Sequence, residues 1–254
     1  MKRKDLRIAV VGYGSMGREI VRQAQEQEIE IANIFDTDLI EGTSGSLIDS
    51  KTFDFDVAID FTYPEEVVEN CRFLAKHKKN IVIGTTGWYK NIDEIRELSD
   101  KYGVGIIYGS NFSLGMQMLF RVARYAARLM NKANGYDIMV HEMHHSRKKD
   151  SPSGTAITLS DIIMEEVESK TSILSDTSHG RINKNQLHVS STRGGEITGL
   201  HTVYIDSFAD TIELTHRAKN RTGFAQGALE AARWIKGKRG FYEFEDMLKN
   251  IWGE

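Results

Sequence analysis

The stretch Ile8-Ala9-Val10-Val11-Gly12-Tyr13-Gly14-Ser15-Met16-Gly17 decides the fold of this protein. An apolar run, which predicts a strand over residues 6–11, leads into a literal G-x-G-x-x-G, and a helical pattern follows over residues 18–27. In such an arrangement the first glycine permits the tight turn, the second lets a pyrophosphate approach the backbone, and the third lets the helix pack closely on the strand. The helix N-terminus adds an anion site. The stretch therefore predicts a dinucleotide-binding unit, although the glycine pattern alone also fits a tight turn without a ligand.

The end of the second predicted strand, residues 29–35, strengthens this interpretation. Asp36 stands there, about 20 residues past the last glycine, where a carboxylate can bind the hydroxyls of the adenosine ribose. Thr37 follows it, where a basic residue would favour the extra phosphate of NADPH. We therefore predict NADH and/or NADPH as the cofactor, with NADH favoured. The predicted contacts in this part of the chain are Gly12, Tyr13, Gly14, Ser15, Met16, Gly17 and Asp36.

Short apolar runs alternate with amphipathic stretches through the first half of the chain, a pattern typical of repeated βα units that feed a parallel sheet. This alternation of strand and helix patterns ends near residue 113, where a long helical pattern begins. We predict an α/β protein with a Rossmann-type doubly wound parallel sheet and an inserted α+β substrate and oligomerisation domain. The predicted dinucleotide-binding domain comprises residues 1–113 and 222–254, and the inserted domain comprises residues 114–221. The strands expected in the first domain are 6–11, 29–35, 57–61, 81–84 and 104–108, and its helices are 18–27, 65–76, 92–102 and 223–236.

Two further loops follow predicted strands of the first domain, at the carboxyl ends where this fold binds ligands. Small hydroxyl residues and an amide in these loops could hold the nicotinamide and its ribose, although each loop is weak evidence alone. The cofactor contacts predicted there are Gly84, Thr85, Thr86, Ser110, Asn111, Phe112 and Ser113.

The second domain is expected to have an open sheet that could self-associate. Helical patterns cover residues 114–132 and 156–169, and strand-like patterns cover 136–140, 187–192, 202–206 and 211–215. An open sheet leaves one face to cover, which makes oligomerisation a hypothesis. The apolar residues predicted to form that face are Leu200, Val203, Ile205, Ile212 and Leu214.

Composition and charge exclude several classes of protein. The 254 residues are 40% hydrophobic and 27% charged, as in ordinary globular proteins, and a net charge of −3 gives no reason to expect nucleic acid. No apolar run reaches the roughly 18 residues needed to cross a bilayer, and the run after the basic start is too short for a signal peptide. We predict a cytoplasmic protein with no membrane partner. A single cysteine, Cys71, excludes a disulfide scaffold and a cysteine-rich metal site.

The densest polar cluster runs from His141 to Thr155, and its first five residues match the zinc-protease signature H-E-x-x-H. That motif holds a metal only on a helix, where residues four apart share one face. Residues 136–140 alternate as a strand, and a continued strand would separate His141 from His145 by about 13 Å. Proline and glycine downstream also oppose a helix. We therefore predict no metal site.

The same cluster suits anion recognition and proton transfer. Ser153, Gly154 and Thr155 precede an apolar helical periodicity, so backbone N–H groups and a hydroxyl at a helix start could bind a carboxylate. Arg147 and Lys148 add positive charge, and a lysine there could donate a proton. A solvated basic loop is the alternative interpretation.

Five motifs together resemble the 4-hydroxy-tetrahydrodipicolinate reductase family, long called dihydrodipicolinate reductase. They are residues 12–17, Asp60-Phe61-Thr62, Gly84-Thr85-Thr86-Gly87, Asn111-Phe112-Ser113 and residues 144–156, and the later stretches 193–201 and 213–218 also fit. The H-H-x-x-K-x-D-x-P-S-G-T block at 144–155 is highly specific, whereas the glycine motif alone is not.

The resemblance implies an NAD(P)H-dependent enzyme of the diaminopimelate route to lysine, with a small dicarboxylate as substrate and a homotetramer as the assembly. It implies His144 as proton donor or acceptor and Lys148 as proton donor. Ser15 and Tyr63 stand where many relatives have arginine, which weakens the case for NADPH. Another two-domain NAD(P)-dependent reductase and a dinucleotide sensor are the alternatives. The substrate contacts carried over are His145, Ser153, Gly154 and Thr155.

Overall fold

The computed structural model describes residues 6–38 and 41–253. Residues 1–5, which begin the basic stretch compared with a signal peptide, lie outside this part of the chain. The chain forms two compact units: unit 1 contains the residues up to Ser113 and from Arg221 onward, and unit 2 contains Leu114–Asn220. None of the described helices combines the length and apolar character that a membrane crossing requires.

Each unit has its own strands and helices, numbered along the whole chain. Unit 1 contains β1 (Arg7–Val11), α1 (Ser15–Glu26), β2 (Glu30–Phe35), β3 (Val57–Asp60), α2 (Val67–Lys76), β4 (Asn80–Ile83), α3 (Ile92–Tyr102) and β5 (Gly105–Tyr108). Unit 2 contains α4 (Leu114–Met130), β6 (Asp137–His144), α5 (Gly154–Glu166), β7 (Ser172–Leu174), β8 (Gln186–Arg193), β9 (Gly199–Asp206) and β10 (Thr211–Ala218). The chain then returns to unit 1 with α6 (Thr222–Ile235), β11 (Gly240–Glu243) and α7 (Phe244–Trp252).

The sheet of unit 1 has six parallel strands in the order β2-β1-β3-β4-β5-β11. Every residue of β3, β4 and β5 is buried, as expected for parallel strands covered on both faces. Helix α1 packs against α6, and α2 packs against α3. Because β2 and β3 lie on opposite sides of β1, the strand order reverses there, and a crevice opens at the carboxyl ends of these strands. The predicted α/β, Rossmann-type sheet is confirmed.

The sequence patterns missed one edge strand of each sheet. Strand β11, which adds the sixth strand of unit 1, has only four residues, and none of them is fully buried. Strand β7, at the edge of the second sheet, has only three residues. Such short edge strands lack the apolar run or the alternation by which a strand is recognised.

Unit 2 has a five-stranded mixed sheet in the order β10-β9-β6-β8-β7. Strand β6 runs antiparallel to β9 and parallel to β8. Helices α4 and α5 pack against each other, and their buried residues join apolar strand residues such as Val140, Val189 and Val203 in one core. This arrangement confirms the prediction of a second domain that combines a sheet with helices.

Three of the five apolar residues predicted to form an exposed face of this sheet, Val203, Ile205 and Leu214, pack on its covered side instead. Val203 and Ile205 are buried in the core, and Leu214, which pairs with Val203, packs against the same core. Strand alternation puts them with Val140 on the face that α4 and α5 cover. The opposite face carries Met139, His141, Met143, Thr202 and Tyr204, together with Leu200, which was predicted for the open face.

The start of α1 depends on close contact with the glycine turn. A Cβ at Gly17 would lie 2.0 Å from the carbonyl oxygen of Gly12 and 3.4 Å from the Val10 side chain. Such a contact with backbone cannot be relieved by a side-chain rotation. This is the close packing of helix on strand that the third glycine of the motif predicted.

We expect Gly17→Ala to lower the free energy of unfolding by about 1–3 kcal/mol, the usual cost of forcing extra volume into a packed site. Urea denaturation followed by circular dichroism measures this change. Gly180→Ala is a matched control, since a Cβ there meets no atom within 4 Å. Equal stability of the two variants would contradict the packing role of Gly17.

Candidate active site

A cavity of about 600 Å³ lies at the carboxyl ends of the first strands of unit 1. The glycine turn at 12–15 forms one wall, and Phe61, Thr62 and Tyr63 form another. Gly12 has a φ of +89°, and a Cβ there would lie 2.6 Å from the carbonyl oxygen of Phe61. Glycine at this position therefore lets the loops after β1 and β3 meet at the cavity.

Asp36 is held at the edge of this cavity by two backbone amides. The amide of Tyr13 donates to Oδ2 at 2.5 Å, and the amide of Asp38 donates to Oδ1 at 2.9 Å. Both oxygens keep further lone pairs that can accept from hydroxyl groups. The carboxylate therefore stands beside the glycine turn, as the sequence predicted.

The charge around Asp36 is mostly negative. Asp38, Glu66 and Glu69 also line the cavity, whereas Arg18 is the single basic residue among the lining residues of the described chain. Burial and the nearby carboxylates of Asp60 and Asp36 raise the pKa of Glu66. The Arg18 guanidinium lies over the Tyr13 ring, 4.5 Å from its centroid.

The structure brings only some of the predicted cofactor residues to this cavity. Gly12, Tyr13, Gly14, Ser15 and Asp36 line it. The remaining predicted cofactor residues lie elsewhere in unit 1. Four of them are buried, namely Thr85, Asn111, Phe112 and Ser113, whereas Thr86 and Ser110 are exposed. Those absent from the cavity lining are Met16, Gly17, Gly84, Thr85, Thr86, Ser110, Asn111, Phe112 and Ser113.

A buried carboxylate connects the loop after β4 to the cavity. Asp60, at the end of β3, has no exposed surface. It accepts hydrogen bonds from the Thr62 amide and hydroxyl, at 3.0 and 2.7 Å, from Asn70 Nδ2 at 2.9 Å and from Thr85 Oγ1 at 3.1 Å. Because Thr62 and Asn70 line the cavity, Asp60 fixes the position of Thr85 relative to it. Burial raises the pKa of Asp60 despite these donors, which are all uncharged.

In unit 2 the H-E-x-x-H segment lies on a strand, as predicted. Strand β6 turns Glu142 and His144 to the buried face, while His141 lies on the opposite face and its Nδ1 is 2.8 Å from Ser190 Oγ. His145 follows the strand, and its amide donates to the carbonyl of Ile197 at 2.8 Å. The helical geometry of a zinc protease is therefore absent from this segment.

Glu142 is the centre of a buried polar network, and it has no exposed surface. Its Oε1 accepts from the Ser153 amide at 2.9 Å, from Ser191 Oγ at 2.8 Å and from Arg193 Nη2 at 2.7 Å. Its Oε2 accepts from the Ser153 hydroxyl. The same oxygen lies 3.3 Å from His144 Nδ1 and 3.5 Å from His201 Nε2.

The electrostatics of this network keep Glu142 ionised. Burial alone would raise its pKa, but His144, His201, Ser153 and Arg193 together hold the pKa of Glu142 well below its usual value. Burial lowers the pKa of His201, which favours its neutral form. The Arg193 guanidinium, whose Nη2 lies 2.7 Å from Oε1, gives this carboxylate a cationic partner.

The donor atoms of Glu142, His144 and His201 lie within 4.8 Å of one another, close enough to share a metal ion. The chemistry of the set opposes this use. Both carboxylate oxygens already accept hydrogen bonds, and one of them is paired with the Arg193 guanidinium. A divalent ion would have to displace donors and add charge beside a buried cation, which is costly.

Lys148 lies in the loop that follows β6, with a partly exposed side chain. Its Nζ is 2.8 Å from Asp150 Oδ1. Burial alone would raise the pKa of Asp150, but the hydrogen bond and charge of Lys148 hold it below its usual value. The loop thus contains an ion pair between Lys148 and Asp150 and is more than a solvated run of cations.

The start of α5 uses the predicted residues in different ways. Ser153 is the N-cap, and its hydroxyl accepts from the Ala156 amide at 3.2 Å and donates to Glu142. Ser153 is 1% exposed, so its hydroxyl serves the buried network. Gly154 is exposed and Thr155 is half-buried in the first turn, where backbone N–H groups attract anions.

Sequence reasoning assigned no role to Glu142, Ser191, Arg193 or His201. Strand pairing brings them together, since His201 lies opposite Glu142 and Arg193 lies beside His144 in register. One signal was available: Glu142 occupies an inward position after Ile138 and Val140, where an apolar residue is expected.

Comparison with known proteins gives a consistent result along the whole chain. The family model for the dihydrodipicolinate reductase N-terminus matches residues 6–112, and the model for its C-terminus matches residues 115–248. The 4-hydroxy-tetrahydrodipicolinate reductase of Christiangramia forsetii is 36% identical over 246 residues, which are 97% of this chain and 99% of the relative. The enzyme of the same name from Aquifex aeolicus is 37% identical over 265 residues, which cover 96% of this chain and 99% of the relative.

Solved structures share the fold. A dipicolinate-bound dihydrodipicolinate reductase from Paenisporosarcina sp. TG-14 superposes with a TM-score of 0.77 at 24% identity, over 96% of this chain and 99% of that one. A probable dehydrogenase from Thermotoga maritima gives a TM-score of 0.59 at 14% identity, over 95% and 92% of the two chains. On the two family models and the near-complete relatives, this chain belongs to the dihydrodipicolinate reductase family.

Proposed function

We propose that the protein reduces 4-hydroxy-tetrahydrodipicolinate to tetrahydrodipicolinate with NADH or NADPH and releases the 4-hydroxyl group as water, in the diaminopimelate route to lysine. The observation that carries this proposal is the match to relatives of that name over nearly the whole chain. The geometry agrees with it: unit 1 has a cavity of about 600 Å³ beside the glycine turn, and unit 2 has a histidine backed by a carboxylate near a helix N-terminus.

The residues around the cavity fit a dinucleotide. Gly12 and Gly14 leave the backbone open to a pyrophosphate, and Asp36 offers both oxygens to ribose hydroxyls. Four acidic residues and one arginine line the cavity, which opposes an additional phosphate on the ribose. We therefore favour NADH over NADPH. Gly84–Thr86 and Ser110–Ser113 are proposed for the nicotinamide side, where Asp60 fixes Thr85.

The residues of unit 2 are proposed to bind a small dicarboxylate and to supply a proton. When bound, the reduced nicotinamide supplies a hydride. His145 and the first turn of α5, at Gly154 and Thr155, offer contacts to the carboxylates of the substrate. Lys148 or His144 holds the proton that the reduction requires. Ser153 acts indirectly, since its hydroxyl is bonded to Glu142.

The assembly and location follow the family resemblance. We propose a homotetramer, with the uncovered face of the unit 2 sheet as the contact between copies. That face carries Met139, Met143 and Tyr204 among polar residues, a mixture suited to an interface. The cytoplasmic location stays a prediction.

The direct test is an assay with substrate generated by a coupled synthase. Oxidation of NADH and of NADPH is followed by the absorbance of the reduced nicotinamide. We expect oxidation that depends on the synthase product, with a higher kcat/KM for NADH. No oxidation with either cofactor would overturn the proposed reaction.

We expect Lys148→Ala to lower kcat by about 10²–10⁴-fold, the range for loss of a positioned acid or base. The dissociation constant of NADH, measured by fluorescence titration, should change little. Lys149→Ala is the matched control, because it removes a neighbouring exposed positive charge. Unchanged turnover in Lys148→Ala would remove this lysine from proton transfer.

We expect Asp36→Asn to raise the KM for NADH about tenfold, which corresponds to about 1.4 kcal/mol. The KM for NADPH should change less or fall, because the variant removes a negative charge near the added phosphate. Asp100→Asn, on an exposed position of α3, controls for the loss of one carboxylate. An equal rise in both KM values would show that Asp36 does not select between the cofactors.

We expect EDTA to leave kcat unchanged, because the buried carboxylate of Glu142 is already bound by protein donors. The measurement compares turnover before and after prolonged chelation. Loss of activity that zinc restores would instead make Glu142, His144 and His201 a metal centre.

A further inference from the structure

We propose that Glu142 is the positioning residue for His144: its carboxylate keeps the histidine proton on Nδ1 and leaves Nε2 as the atom that faces the ligand. The catalytic consequence rests on the proposed function, whereas the position of the proton does not. Both side chains lie on one buried face of β6, because residues two apart on a strand point the same way.

The surroundings of the His144 ring support this orientation. Its side chain is 9% exposed, and Nδ1 has no exposed surface and no hydrogen bond of good geometry within the described chain. The carboxylate oxygen 3.3 Å away is the one charged atom that contacts Nδ1 among the described residues. A proton on Nδ1 would meet this oxygen, whereas a lone pair there would face a negative charge.

The carboxylate is well suited to this role because it is both ionised and fixed. Three donors hold Oε1, one from Ser153, the N-cap of α5, and two from β8, so they belong to separate parts of unit 2. The Ser153 hydroxyl adds a bond to Oε2. Glu142 can therefore neither rotate away from His144 nor accept a proton easily, so the position of its charge is constant.

His201 does not take the place of His144 in this pairing. Its Nε2 is 3.5 Å from the same oxygen and 3.2 Å from Ser153 Oγ. Its ring meets the His144 ring in a T-shaped contact, with centroids 5.1 Å apart. Burial favours the neutral form of His201, so this ring does not compete as a cation for the carboxylate.

The Nε2 edge of His144 is correspondingly free of protein acceptors and donors within the described chain. A Cβ at Gly199 would lie 3.1 Å from Nε2, so the glycine avoids crowding this edge. The two nitrogen atoms thus have different surroundings, one against an anion and the other without a protein partner.

The first test measures the proton directly in the wild-type protein. The ¹⁵N shifts of histidine side chains distinguish a protonated from an unprotonated Nδ1, and His144→Gln assigns the His144 signals. We expect a protonated Nδ1 on His144 near neutral pH. A neutral ring with its proton on Nε2 would overturn the proposal. This measurement needs neither turnover nor a folded Glu142 variant, so it succeeds or fails independently of the proposed reaction.

The second test uses Glu142→Gln, which keeps the shape of the side chain but removes its charge. We expect kcat to fall about 10–100-fold, the range for loss of a partner that orients a metal-ligating histidine, while the KM for NADH stays within about twofold. Glu142→Asp, which keeps the charge, should recover part of the lost kcat. Glu165→Gln, on the exposed side of α5, controls for the loss of one charge.

Two outcomes of the kinetic test would contradict the proposal. One is an unchanged kcat in Glu142→Gln. The other is an equal loss of kcat in Glu142→Gln and Glu142→Asp with the His144 shifts of both variants unchanged, which would assign Glu142 to packing alone. If the wild-type protein shows the expected His144 shifts but no reductase activity, only the proposed reaction fails.

Discussion

A carboxylate without exposed surface must receive hydrogen bonds from the protein, and each unit is organised around one such group. Asp60 stands at the end of β3, and Glu142 stands near the end of β6. The donors that satisfy them come from different elements, so each carboxylate fixes loops that would otherwise move independently. The two differ in charge balance: Asp60 meets uncharged donors, whereas Glu142 meets a guanidinium and two imidazoles. Opposite shifts of the two pKa values follow from this difference.

The fold of unit 1 was predictable because its signals are local. The glycine motif, the strand before it and Asp36 lie within 30 residues, and the structure brings them to one cavity. The edge strand β11 could not be found in the same way, because its position comes from pairing with β5 far away in the chain.

The buried network of unit 2 was only partly predictable. His144 and Lys148 were identified within one specific motif, but Ser191, Arg193 and His201 reach Glu142 through the register of three strands. A register of this kind depends on contacts distant in sequence, and local periodicity carries no information about it. The misassigned face of the second sheet has a related cause. Alternation puts Val203 and Thr202 on different faces, but only the packing of α4 and α5 decides which face the helices cover.

The contact between Gly17 and the Gly12 carbonyl also limits how the protein can vary. The conformation of the turn and the position of α1 depend on each other. A side chain at either glycine would therefore disturb both the stability of the protein and the shape of the cavity wall. Asp36, Thr37 and Tyr63 lie outside this contact, on side chains that border the same cavity. Substitutions at Thr37 and Tyr63 therefore leave the seating of α1 intact, whereas a change of Asp36 also removes the acceptor of the Tyr13 amide within the turn.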